Sequence, residues 1–263
     1  MNVPGQKDTY SVALVIIGNE ILSGRTQDAN TPWIAEKLTA LGVMVHQVRI
    51  VPDIEDDIVT AITQLRDKVD YVFTTGGIGP THDDITAQSV AKAFNTPLEL
   101  NDEAYGILVR QYGSEEDVTP ARRKMAMIPK GATLLINPVS GAPGFQIENI
   151  FVMAGVPRIM QAMFDDVKTK IRHGRRVLSN TIACNLAEGD IADALGKIQD
   201  RYPAVIIGSY PHYRGGVLGL SLVLRSPEDA LLNKATGEVV DMILSHGGAP
   251  NALSIQSSGK LTV

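Results

Sequence analysis

Cysteine is nearly absent from this chain: Cys184 is the single one in 263 residues. That excludes an internal disulfide framework and a cysteine-rich zinc site. No apolar run approaches the 18 residues that a membrane-crossing helix needs, and the N-terminal MNVPGQKDTYS has no apolar signal core. A basic surplus is also missing. Twenty-four Lys and Arg against 29 Asp and Glu leave a net charge of -5, which argues against a nucleic-acid partner. Gly-Lys-Ser/Thr, GxGxxG and Gly-x-Ser-x-Gly do not occur, so neither a Walker A loop nor a serine-hydrolase elbow is present. What is present is globular: 44% hydrophobic and 20% charged residues. These readings lead to the expectation of a soluble protein of the reducing cytoplasm.

Two periodicities alternate over the first 170 residues. Val12–Ile17 is a short continuous apolar run and reads as a strand buried on both faces. Asn30-Thr31-Pro32 reads as a helix cap followed by an N1 proline, with Ile34, Leu38 and Leu41 as the stripe and Gly42 as the stop. Residues 43–51 read as a second strand, and Asp53 as the cap of a helix with the stripe Ile54, Ile58, Ala61, Ile62 and Leu65. Tyr71–Phe73 is the third strand, followed by a helix marked by Ala87, Val90, Ala91 and Phe94. Residues 101–127 read as helical, 133–136 and 150–153 as strands, and Met160, Met163, Phe164 and Val167 as a closing helix stripe. This order predicts an α/β domain with a mostly parallel sheet.

Five Lys/Arg within residues 168–176 mark the end of that domain. Beyond them, strands over 177–186, 204–208 and 217–224 and helices over 191–198 and 232–242 predict a small α+β domain. The domains are placed at 1–172 and 173–263, the second ending in a flexible tail from Gly247. Cys184 falls in an apolar strand, as a small packed hydrophobe.

Open α/β sheets bind ligands outside the carboxyl ends of their strands. The segments that follow the strands there are Gly18-Asn19-Glu20, Val51-Pro52-Asp53, Thr74–Thr86 (TTGGIGPTHDDIT) and Ala154-Gly155-Val156-Pro157; Ser140–Gly144 reaches toward the same edge. Gly76, Gly77 and Gly79 let backbone N–H groups approach an anion, and the next helix adds its positive end. Asp83 and Asp84 beside such a pocket would repel phosphate unless a cation intervenes, which suggests a metal-assisted phosphate or pyrophosphate site. The same residues also read structurally: Thr81-x-x-Asp84 as a capping box, Asp83 as a cap. Glu20 lies at the ligand edge, and His82 lies within the loop.

TTGGIGPTHDDIT closely resembles the signature loop of the molybdopterin-binding-like (MoaB/Mog) family, and within it the N-terminal domain of competence/damage-inducible protein A and of eukaryotic FAD synthases. GNEILSG, Asn30, VPD at 51–53, SGAPGF at 140–145 and GVPR at 155–158 extend the resemblance over residues 11–170. It implies a three-layer α/β/α fold with a mostly parallel sheet. It also implies metal-dependent hydrolysis of a pyrophosphate bond in ADP-ribose or FAD, or, in the molybdenum-cofactor branch, pterin binding with adenylyl transfer. A non-catalytic nucleotide-binding module is a third possibility. The implied catalytic residues are Asp84, Asp83 and Glu20, with Asp83 and Asp84 holding Mg²⁺, Mn²⁺ or Co²⁺; potassium is a further cofactor candidate. The implied substrate contacts are Gly76, Gly77, Gly79, Thr81, His82, Thr86, Asn19, Asn30, Pro143, Gly144, Gly155 and Pro157. The partners implied are a small-molecule nucleotide or pterin and further copies of the chain in a homo-oligomer, without nucleic acid or membrane. Three positions depart from the family pattern: Asn19 stands where Asp is usual, Ala154 where Pro is, and Ile159 where Glu is. GSYP at 208–211 resembles the small domain of the FAD-synthase-like branch.

Overall fold

In the computed structural model of the chain, residues 7, 9–214 and 217–256 are described. The chain forms two compact units, one ending at Gly174 and the other beginning at Arg175.

The first unit contains β1 (Tyr10–Ile17), α1 (Asn19–Leu22), α2 (Asn30–Ala40), β2 (Val43–Val51), α3 (Glu55–Arg66), β3 (Tyr71–Thr75), α4 (Thr86–Ala93), β4 (Leu98–Leu100), α5 (Asp102–Tyr112), α6 (Pro120–Lys124), β5 (Met127–Pro129), β6 (Thr133–Leu135), β7 (Gly144–Ile147), β8 (Ile150–Met153) and α7 (Pro157–Lys170). Six strands form one sheet in the order β2-β1-β3-β8-β7-β6. The pairs β1–β2, β1–β3 and β3–β8 are parallel, and β7 runs antiparallel to both its neighbours. Five of the six strands therefore point one way, as the strand–helix alternation predicts.

Side chains alternate across a strand, so β1 feeds two cores. Ala13, Val15 and Ile17 pack with Ile58, Ile62 and Leu65 of α3, Val90 of α4 and Leu108 of α5. Val12, Leu14 and Ile16 pack with Ile34 and Leu38 of α2 and with Met160, Met163, Phe164 and Val167 of α7. The result is three layers, helix, sheet and helix. The stripe read on α7 is its buried face.

This layering sets where a ligand can bind. From β1 the chain crosses to β2 through α2 on one face, then to β3, on the other side of β1, through α3 on the opposite face. A right-handed crossover that reverses direction must change faces. The loops that leave β1 and β3 therefore diverge, and a crevice opens at the carboxyl ends of those two strands.

The second unit contains β9 (Leu178–Cys184), α8 (Glu188–Arg201), β10 (Ile206–Arg214), β11 (Val217–Ser226), α9 (Asp229–Ser245) and β12 (Asn251–Ile255). Its sheet, in the order β10-β11-β9-β12, is antiparallel throughout. This is the split βαβ arrangement, βαββαβ. Ile182, Cys184, Leu220, Leu222 and Leu224 face Ile191 and Ile198 of α8 and Leu232, Val239 and Ile243 of α9.

Several expectations are corrected. Residues 101–127 do not form one helix. Gly113 ends α5, Thr119 caps α6 through the Arg122 N–H, and Met127 already belongs to a β4–β5 ribbon. No strand is read between 136 and 150, yet Gly144 opens β7; glycine weakens a strand signal, but here it lets β7 lie against the Val152 carbonyl, where a Cβ would collide. Ile54 is the N-cap residue of α3 and is 54% exposed, not part of the buried stripe. β10 runs on to Arg214, six residues past the expected end, because its whole length pairs with β11. The tail expected to be loose from Gly247 contains β12, held by β9. Its last residues, 257–263, lie outside the described residues, as do 1–6 and 8 of the N-terminal segment read for a signal.

A fragment ending at Gly174 is expected to fold alone, since every residue of its two cores lies at or before Ile171. Circular dichroism and a cooperative melt check this. A fragment unfolded where the full chain is stable would show that the core needs residues beyond 174.

Candidate functional site

Four loops meet at the crevice. Gly76 leaves β3 at φ +105° with its N–H donating to the Met153 carbonyl (3.1 Å) at the end of β8. Gly77 follows at φ +67°. A Cβ on Gly76 would strike the Ile17 carbonyl, and one on Gly77 the Thr86 hydroxyl. Only glycine tolerates both the left-handed backbone and the contact. Thr86 is buried and clamps this turn: its hydroxyl donates to the Gly76 carbonyl (2.9 Å) and its N–H to the Gly77 carbonyl (3.0 Å). Gly155 packs on the turn, with a Cβ position only 3.2 Å from the Gly76 Cα. The Asn30 amide donates to the Gly155 carbonyl (2.8 Å) from the first turn of α2.

The acidic turn comes next. Asp84 Oδ2 accepts from the Thr81 N–H (2.8 Å) and also from the Thr81 hydroxyl. The Lys124 ammonium, from the end of α6, bonds the Thr81 carbonyl (2.6 Å). Asp83 is held below the usual carboxylate range, first by the Thr81 hydroxyl, then by its own backbone N–H, with smaller contributions from His82 and Lys124. That hydroxyl has one proton, which geometry gives to Asp84, so it can serve only one of the two carboxylates at a time. Asp53 accepts from the Asn19 N–H (2.9 Å) and ties the loop after β2 to the start of α1.

These loops enclose a cavity of about 590 Å³ with a mixed lining. Glu20, Thr26, Asp53, Thr81, Asp83 and Asp84 are its polar lining residues; Tyr112, Met125, Ala142, Val156, Ile159 and Met163 give it apolar and aromatic surface. Such a lining suits a ligand that carries both a charged group and an apolar or flat one. A side cavity of about 90 Å³ shares Gly77, Ile78, Gly79, Asp84 and Met125 with it and adds Lys124, Gln88, Pro143 and Phe145. Among the described residues, no group of three or more His, Cys, Asp and Glu is placed to hold a metal alone.

Residues 13–173 match the family described as the probable molybdopterin binding domain. The chain belongs to that family. Residues 176–248 match the middle domain of FAD synthase. A protein of Pyrobaculum arsenaticum is 34% identical over 255 residues, covering 90% of this chain and 96% of that protein. The probable FAD synthase of Caenorhabditis briggsae is 28% identical over 92% of this chain, which spans 51% of that protein's length. Among solved structures, the CinA protein of Thermoplasma acidophilum, described as of unknown function, is 33% identical with a TM-score of 0.59, covering 62% of this chain and 99% of that one.

Within the family domain, nine of the residues singled out in the sequence line the main cavity: Glu20, Gly76, Gly77, Gly79, Thr81, Asp83, Asp84, Gly155 and Pro157. Pro143 lines the side cavity. The others are placed differently. The His82 side chain is 98% exposed and points to solvent, because the turn Thr81–Asp84 closes through its neighbours. Thr86 is spent inside the glycine turn. Gly144 is a buried strand residue. Asn19 enters only through its backbone N–H. Asn30 does not cap α2; Asp28 does, accepting from the N–H groups of Asn30 and Thr31 (2.9 and 3.1 Å), which frees the Asn30 amide for Gly155. Asp53 caps nothing, since the N-cap of α3 is Ile54; it belongs to the cavity, as its place after β2 signals. Lys124 carries no local signal, because its partner lies 43 residues away.

Proposed function

We propose that this chain hydrolyses the pyrophosphate bond of a nucleotide of the ADP-ribose or FAD type, with a divalent cation bound together with the substrate. The observation that carries this reading is the meeting of the glycine turn and the carboxylates of Glu20, Asp53, Asp83 and Asp84 in one cavity at the reversal point of the sheet. The Gly76 and Thr81 N–H groups are engaged inside the protein, so the amides of Gly77, Ile78 and Gly79 are those that face phosphate. Asp83 and Asp84 would hold the cation, which when bound would offset phosphate charge and make water a better nucleophile. The apolar and aromatic lining residues of the cavity pack against the base or ring. Potassium finds oxygen donors in a cavity of about 60 Å³ beside Glu20, lined by Asn30 and Thr75, whose buried Oδ1 and Oγ1 have no partner among the described residues.

In the reaction, a water oxygen bonds to one phosphorus, and the bond from that phosphorus to the bridging oxygen breaks. The bridging oxygen leaves on the other phosphate, and the proton lost by water passes to a carboxylate and on to solvent. ADP-ribose gives AMP and ribose 5-phosphate; FAD gives AMP and FMN. The likeness to a probable FAD synthase favours the FAD-type substrate, since the bond such an enzyme makes is the one broken here. The family description favours a second reading, binding of a molybdopterin, to which the resemblance adds adenylyl transfer.

A substrate panel separates them: ADP-ribose, FAD, NAD, and ATP with pterin, each with Mg²⁺, Mn²⁺ or Co²⁺, with and without potassium. The expected result is metal-dependent AMP release from ADP-ribose or FAD. A requirement for both pterin and ATP would establish the second reading instead, and binding without turnover under every metal would leave a nucleotide-binding module.

A further inference from the structure

The two cavities are rich in carboxylates and poor in cations. Among the described residues that line either of them, Lys124 is the one Lys or Arg. It is also aimed. Its neighbours on α6 are occupied elsewhere: the Arg122 guanidinium lies 4.0 Å over the Tyr112 ring and donates to the Asp117 carbonyl (2.7 Å), and Arg123 lies 5.7 Å over Tyr105. Both rings belong to α5, so these contacts pin α6 to α5 and leave the last side chain of the helix directed at the acidic turn. There Lys124 bonds the carbonyl of the same Thr81 whose N–H and hydroxyl bind Asp84.

The Thr81 carbonyl offers Lys124 an acceptor but no countercharge, whereas a phosphate oxygen offers both. A diphosphate entering beside four carboxylates needs positive charge beyond one divalent cation. We propose that Lys124 is the phosphate-contacting cation of this site, exchanging its bond to the Thr81 carbonyl for one to a phosphate oxygen of a bound nucleoside diphosphate moiety. This rests on the nucleotide reading above but not on hydrolysis.

The test is calorimetric titration of the full chain with ADP, in the presence and absence of Mg²⁺, for wild type, Lys124→Gln and Lys124→Arg. Gln and Arg both keep a donor for the Thr81 carbonyl, but only Arg keeps the charge. Lys124→Gln is expected to weaken ADP at least tenfold, and Lys124→Arg less than threefold, with both melting near wild type. Wild-type affinity should fall with added NaCl more steeply than that of Lys124→Gln. Equal ADP affinity in wild type and Lys124→Gln overturns the proposal. So does loss in both variants alike, which would mark a purely structural lysine, and so does a wild type that fails to bind ADP. ADP binding through Lys124 with no AMP release across the substrate panel would remove the hydrolase reading and leave this one standing.

Discussion

Asp84→Asn is expected to lower turnover about 100- to 1,000-fold while the melting temperature stays within a few degrees of wild type. In the fold, Asp84 closes a turn by accepting from the Thr81 N–H and hydroxyl on a single oxygen. The Asn amide oxygen can accept the same two bonds, so the turn survives. What the substitution removes is the charge that offsets a divalent cation. Metal stabilisation of charge in the transition state is worth several kcal/mol, and each ~1.4 kcal/mol is a factor of ten in rate. Asp53→Asn is the comparison. Its oxygen also serves one N–H, that of Asn19, and it comes from the loop after β2 rather than from the acidic turn, so its loss should cost about tenfold or less by the same conversion. Steady-state kinetics at saturating Mg²⁺, Mn²⁺ and Co²⁺ measure both. Near-normal turnover in Asp84→Asn would sink the metal role and leave the residue with only its structural bond to Thr81.

Gly76→Ala should damage the protein itself. The new methyl would stand against the Ile17 carbonyl at a φ of +105°, and neither side can yield. The Gly76 N–H is bonded to Met153 and its carbonyl to the buried Thr86 hydroxyl, while Ile17 ends β1, a strand paired on both sides. Backbone strain of about 1–3 kcal/mol adds to about 1–3 kcal/mol of overpacking. A loss of about 2–6 kcal/mol is a large part of the 5–15 kcal/mol that typically separates folded from unfolded states. Gly196→Ala is the control, since Gly196 lies within α8 with no atom inside 4 Å of a new Cβ; it should be neutral or stabilising by up to about 1 kcal/mol. Urea titration of the two variants against wild type reads the difference. A Gly76→Ala protein as stable as wild type would mean that the turn relaxes and is not held by its three neighbours.

The order of strands and helices in the first unit could be read from the chain because both periodicities are strong there. β1 is apolar on both faces and β3 nearly so, as strands covered on two sides must be, and the α7 stripe repeats at helical spacing over four residues that are all buried. Local signals failed where pairing, not composition, decides the structure. β7 begins with Gly144 after Pro143, and β12 lies in a Gly- and Ser-rich stretch; each is a strand only because an existing edge accepts it.

The candidate site divides along the same line. The sequence by itself determined that a glycine-rich, acidic loop follows the third strand of an α/β domain, because residue types in series are enough to show a turn that only glycine can make and carboxylates beside it. It also determined at which edge of the sheet these loops would gather, since strand polarity follows from the alternation of elements. Tertiary structure alone decided which side chains reach that edge. Asp53 and Asn30 both read as helix caps, and both proved to tie one loop of the cavity to another, Asp53 to Asn19 and Asn30 to Gly155. His82 and Thr86 sit in the same loop as Asp84, yet one points to solvent and the other into the fold. Lys124 arrives from a helix 43 residues further along the chain. A side chain's direction is set by the rotation of its backbone and by the neighbours that fill the space around it, and those neighbours are brought together only when the layers of the domain close.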